Sequence, residues 1–155
     1  MSIPLRVSAL PADQLERVRA WGVDDFGNPH VVTVNRDEGG RPLRCCLREA
    51  EVGEQVALLA WRPSPVPGPY AEVGPVFVHA ERCEAGRGPA TPRGSHRRQL
   101  FRAYDPQGHQ VDNQLVEGAE AEAALSKLLS RSDVSYVHSR NVLTGCYMFQ
   151  VELDP

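Results

Sequence analysis

The chain has 155 residues, 41% of them hydrophobic and 24% charged, with a formal net charge of -3. Such a chain can bury a core of its own without metal or disulfide, and these values exclude a disordered polymer. The negative charge argues against general nucleic-acid binding, which needs a basic surface to release phosphate counterions, and the longest apolar run, residues 56–61, is far too short to span a bilayer.

One domain over residues 1–155 is therefore expected. The first ten residues lack a basic start followed by an apolar stretch, so no export signal is read and a cytoplasmic location is expected. The four cysteines, Cys45, Cys46, Cys83 and Cys146, form no C-x-x-C pair and are read as reduced thiols. Lys127 is the only lysine beside 16 arginines.

Alternation at Ile3, Leu5, Val7 and Ala9 predicts a first strand, and Pro11 then opens a helix running to about Trp21. Leu15 and Val18 fall on one helical face, with Trp21 a further turn along, and Gly22 supplies the stop. Residues 31–34 have strand character, residues 37–40 read as a turn, and residues 43–47 as a short extended segment. The run from 55 to 61 predicts a strand buried on both faces, hence a central one. Pro63, Pro65, Pro67 and Pro69 alternate and stiffen the following loop.

Residues 75–79 predict another strand. Residues 81–94, rich in Gly, Pro and Arg, predict a mobile loop. Strands at 100–104 and 110–116 flank Asp105-Pro106-Gln107-Gly108, which fits a type I turn and makes a hairpin. Residues 119–131 predict the strongest helix, with an apolar stripe through Ala121, Ala124, Leu125 and Leu128. Strands at 135–140 and 146–153 form a second hairpin. This order predicts an α+β fold: a mainly antiparallel sheet with two main helices packed on one face.

Four groups could carry chemistry. His79 ends a hydrophobic strand, where an imidazole can serve as acid, base or ligand near neutrality. His138, Asn141 and Cys146 cluster around the last hairpin, with Tyr136, His138 and Arg140 on one strand face; thiolate, imidazole and amide are the components of a papain-type nucleophile. Cys45 or Cys46 with His79, Cys83 and Cys146 offers zinc-type donors, but adjacent cysteines seldom both face one ion and the spacing makes no knuckle, so no metal site is assigned. The arginines Arg82, Arg87, Arg93, Arg97, Arg98 and Arg102 form a fourth group, of which Arg102 shares a strand face with Tyr104 and could line a cleft. No dinucleotide, P-loop, zinc-protease or nucleophile-elbow motif is present in the sequence.

The segments Pro42-Leu43-Arg44-Cys45-Cys46-Leu47-Arg48-Glu49-Ala50 with Gly53-Glu54, Pro69-Tyr70, Gly74-Pro75-Val76-Phe77-Val78-His79, Arg102-Ala103-Tyr104 and Gly145-Cys146 together resemble the bacterial family catalogued as domain of unknown function 1203. The resemblance spans about residues 41–152, and Leu43 departs from the Cys expected in a P-C-R opening. It assigns no function or cofactor, but its motif residues, Arg44, Tyr70, His79, Arg102, Tyr104 and Cys146, are polar or reactive. The expectation is a small enzyme or binding domain for a small anionic molecule. Arg44, Tyr70, Arg102, Tyr104 and Asn141 would bind the ligand, and His79, His138 and Cys146 would be catalytic. The alternative is a non-catalytic interaction module using the proline and arginine loops.

Overall fold

The computed structural model describes residues 3–38, 41–83, 87–88 and 97–155. Of the segment expected to be a mobile loop, residues 84–86 and 89–94, Arg93 of the arginine group among them, lie outside the described residues, as does part of the expected turn at 37–40.

In chain order the elements are β1 (Leu5–Ser8), α1 (Ala12–Trp21), β2 (Val32–Val34), β3 (Gln55–Trp61), β4 (Gly74–His79), β5 (Arg87–Gly88), β6 (Gln99–Tyr104), β7 (Gln110–Val116), a 3-10 turn (Gly118–Glu120), α2 (Ala121–Leu129), β8 (Tyr136–Arg140) and β9 (Tyr147–Leu153). The fold is α+β and dominated by antiparallel sheet, with two short helices. One sheet has the order β5-β1-β9-β8-β6-β7 and the other β2-β3-β4. All the strand pairs named here are antiparallel.

The helices bury into two different cores. Leu125, Leu128 and Leu129 of α2 join Phe101, Val137 and Val151 of the larger sheet. Leu15 and Val18 of α1 join Val56, Leu59, Val76 and Val78 of the smaller one. Each such aliphatic side chain contributes about 1.5–3 kcal/mol when removed from water. The helix α1 stops where Gly22 turns to φ 73° and its N–H bonds Val18 O. Trp21 differs from the expected stripe: it is 68% exposed, with the Arg17 guanidinium 5.5 Å from its ring.

The strand β3 is central in its sheet, as its apolar run suggested, but Leu58 faces out. Residues 43–47 form a turn rather than a strand, with Leu47 at φ 61°. At the β6–β7 hairpin, Gly108 N–H bonds Asp105 O at 3.0 Å. Gly108 sits at φ 84°, and a Cβ there would stand 2.2 Å from Val66 Cγ2. The proline loop is thus packed on this turn, and only glycine fits.

Candidate metal centre

Loop and strand meet through one backbone pairing. Leu43 bridges Phe77 in parallel register, and Arg44 N–H bonds Phe77 O at 2.8 Å. In parallel register a step of two residues on each segment keeps partners together, so Cys45 arrives beside His79. The loop is pinched shut by a bridge between Pro42 and Glu49 and by Leu47 N–H bonding Leu43 O at 2.9 Å. This turn carries Cys46 to the same place. Four residues beyond His79, the chain returns Cys83 to it.

The result is a cluster in which the ligating atoms of Cys45, Cys46, His79 and Cys83 all lie within 4.8 Å of one another. His79 Nδ1 stands 3.4 Å from Cys45 Sγ and 3.9 Å from Cys46 Sγ. The backbone N–H of His79 also donates to Cys45 Sγ, at 3.3 Å. On the far side of the ring, Nε2 is 2.9 Å from Arg48 Nη2 and 3.2 Å from Glu54 Oε1. Arg48 is itself paired with Glu54 at 2.5 Å. Beyond Glu54 and Cys83 opens a hollow of about 380 Å³ that Arg82 and Glu81 help to line.

The electrostatics favour a thiolate here. A hydrogen bond from the Cys45 thiol, helped by the Arg48 backbone N–H and the charges of His79 and Arg48, brings Cys46 down to about 6 against the opposing effect of burial. Donating that bond and being buried push Cys45 up, and burial does the same to Cys83. Glu54 is held at about 2, chiefly by its hydrogen bonds from Arg48, and is a permanent acceptor. His79 can therefore serve in either tautomer. With Nδ1–H donating to sulfur, Nε2 accepts from Arg48; with Nδ1 as a lone-pair ligand, Nε2–H donates to Glu54.

The other residues singled out in the sequence lie elsewhere. Arg44 is 4% exposed and spends its guanidinium on backbone, with Nε donating to Tyr147 O at 2.8 Å and Nη1 to Pro42 O. It joins the cysteine loop to the last hairpin rather than facing a ligand. Asn141 closes that hairpin, its Oδ1 accepting from the N–H groups of Leu143 and Thr144. Tyr70 lies half exposed, edge-on to His109. Cys146 stays outside the cysteine cluster, beside Arg140 and Tyr147.

The alternation of β6 and β8 does bring Arg102, Tyr104, Tyr136, His138 and Arg140 to one face, since Arg102 pairs with His138 and Tyr104 with Tyr136. His138, however, is 1% exposed and ringed by Tyr104, Tyr136 and Tyr147 at 5.0–5.1 Å between centroids. Its Nε2–H donates to Gln150 Oε1 at 2.9 Å. Burial, outweighing that bond, lowers its pKa to about 4, with Arg140 and Arg102 adding to the effect. Its hydrogen-bond partner is thus Gln150, while the partly exposed Cys146 thiol has Thr144 O at 4.0 Å.

The sequence offers zinc-type donors but its spacing assigns no metal site, and the structure corrects this: Cys45 and Cys46 both turn toward His79 and Cys83, while Cys146 does not join them. What spacing alone does not supply is the Leu43–Phe77 pairing, which joins segments 34 residues apart.

Fold and site together define a small α+β domain with a sulfur-rich donor cluster at the end of a sheet strand. The chain belongs to the family described as protein of unknown function, DUF1203, whose model matches residues 40–152 and so includes all four donors. No curated protein and no solved structure matches it.

Proposed function

We propose that the protein is a zinc-binding domain in which Cys45, Cys46, His79 and Cys83 form a closed tetrahedral centre of three sulfurs and one nitrogen. The observation that carries this reading is the convergence of four donor atoms within 4.8 Å, with the second nitrogen of His79 against the Glu54 carboxylate. Tetrahedral zinc, with Zn–S of about 2.3 Å and Zn–N of about 2.0 Å, sets donors about 3.6–3.8 Å apart. The cluster needs a contraction of at most about 1 Å to meet that. The carboxylate behind the imidazole is the usual outer partner of a zinc histidine, fixing its tautomer and raising its basicity.

Three thiolates and one zinc carry a net single negative charge. The Arg48 guanidinium adds to the lowering of Cys46, and Arg19 opposes the burial that raises Cys83, so that charge has cations nearby. A complete protein ligand set leaves no position for an activated water, which favours a structural over a hydrolytic metal. The ion would tie the 42–49 loop, the end of β4 and Cys83 into one unit.

The test is metal content after expression in zinc-supplemented medium and gel filtration. One zinc per chain is expected, and the cobalt-substituted protein should show thiolate-to-metal charge-transfer absorption with tetrahedral d–d bands. A chain that retains no metal, and whose Tm does not move when zinc is added, removes the proposal.

A further inference from the structure

At the other end of β4 from His79, Gly74 and Pro75 border a second cleft of about 160 Å³, lined also by Trp61, Pro63, Glu72, Arg140 and Tyr147. A hollow of about 370 Å³ adjoins it and shares Trp61, Pro63 and Tyr147. Arg140 lines the smaller cleft, and Arg102 reaches the Glu72 carboxylate that borders it. Leu100 pairs with Arg140 across β6 and β8, so Arg102, two residues on, lies diagonally from Arg140 on the same face.

Both arginines share a single carboxylate, and neither holds it well. Arg102 Nη1 is 3.3 Å from each oxygen of Glu72, and Arg140 Nη1 is 3.3 Å from Glu72 Oε2. A charge-assisted bond of this type is normally about 2.7–2.9 Å, and elsewhere in the protein Arg6–Glu152 is 2.8 Å and Arg131–Asp112 is 2.6 Å. Among the described residues these are the longest arginine–carboxylate pairs. The Arg140 side chain is only 8% exposed while that of Glu72 is 54% exposed, so apart from a 3.2 Å hydrogen bond from Nη1 to Gly145 O the buried cation has only a carboxylate that stays in water. Arg140 Nε is buried with no hydrogen-bond partner among the described residues. The surplus positive field is felt next door, where both arginines disfavour the charged form of His138.

A buried guanidinium with a loose partner is costly unless something completes its bonding. We propose that this cleft binds a small-molecule carboxylate between Arg102 and Arg140, with the Glu72 carboxylate standing in the position that the ligand's carboxylate takes. Glu72 lies on the short irregular stretch before β4, next to exposed Val73, and is free of any helix or strand that would resist its displacement. The rest of the ligand packs on Trp61, Pro63 and Tyr147, which suits a flat or aromatic body. Anion recognition by arginines thus falls to Arg102 with Arg140, while Arg44 is committed to backbone carbonyls.

The probe is benzoate, with inorganic phosphate as the second arm, in a Trp21→Phe background so that fluorescence reports Trp61 alone. Saturable quenching by benzoate is expected, strengthened by about tenfold in Glu72→Gln, which removes the competing charge, and weakened by more than about tenfold in Arg102→Gln. Arg102 is partly exposed, so that variant should keep its fold; circular dichroism checks this, and Arg102→Lys with partial recovery of binding serves if it does not. Benzoate that fails to saturate either the parent or Glu72→Gln at millimolar concentration overturns the proposal. Saturation by phosphate without saturation by benzoate overturns the carboxylate assignment.

Discussion

His79 and His138 are imidazoles on strands of the same chain with opposite surroundings. His79 ends β4, with sulfur on one side of its ring and an ion pair on the other. His138 sits mid-strand in β8, walled in by three tyrosines, with Nδ1 lacking a hydrogen-bond partner among the described residues. The sequence offers both as candidate catalytic groups. The difference lies in what the neighbouring strands bring: donors that can collect a cation in one case, aromatic faces that exclude charge in the other.

The largest effect should come from breaking the His79 side of the comparison. Stripping zinc from the wild type with a chelator and restoring it at about 1,000 times its Kd should return about 4 kcal/mol of stability. The Cys46→Ser chain should show no such response in a thermal or urea melt. A wild-type melt indifferent to zinc would leave His79 and His138 as two structural histidines.

The next effect belongs to His138 and runs with pH. In the unfolded chain its pKa is near 6.5, and in the fold it falls to about 4. Between those values the unfolded state binds more protons, so stability rises with pH. The contribution is present in full above the unfolded value and is lost as pH falls through the folded one. On the order of 3 kcal/mol should disappear between neutral pH and pH of about 4. His138→Gln should lack this slope, and the difference between variant and parent cancels the acid release of metal common to both. Parallel pH profiles would show that the tyrosine cage leaves His138 free to protonate.

A smaller effect is expected one step out from the metal. Glu54→Gln keeps an oxygen to accept from His79 Nε2–H but removes the charge. Zinc affinity, measured by competition with a chromophoric chelator, should drop by about 10–100-fold, with one ion per chain retained. An unchanged affinity would mean that the carboxylate serves Arg48 alone.

The elements around these sites are legible in the sequence where local chemistry decides them. Pro11 and Gly22 bracket α1, Asp105 to Gly108 turns a hairpin, and the alternation of 136, 138 and 140 places three side chains on one face. The loop from 42 to 49 is not, because a Cys-Cys pair with flanking leucines has an extended pattern while the structure turns it through Leu47 at φ 61° to meet a distant strand. Arg44 misleads for a related reason: a buried arginine that binds a ligand and one that satisfies backbone carbonyls look the same in sequence. The face that His138 occupies follows from strand alternation, but the rings that close over it come from β6, β8 and β9, and no local pattern encodes that meeting.

The smallest effect is also the sharpest control. Cys146 is the fourth thiol of the chain, and its residue type groups it with His79 and Cys83 as readily as Cys45 or Cys46. It lies instead in the last turn, with Thr144 as its hydrogen-bond partner, apart from the donor cluster. Cys146→Ser should therefore leave zinc content, zinc affinity and Tm unchanged. In the metal-loaded wild type, a disulfide reagent such as Ellman's should titrate one thiol per chain, and four after chelation in denaturant, which opens buried Cys45 to the reagent; in Cys146→Ser the counts should fall to none and three. Zinc polarises and shields the three clustered sulfurs, whereas Cys146 is partly exposed and has no metal to hold it. Loss of zinc on replacing Cys146, or one reactive thiol persisting in the loaded variant, would mean that the ligand set has been drawn around the wrong cysteines.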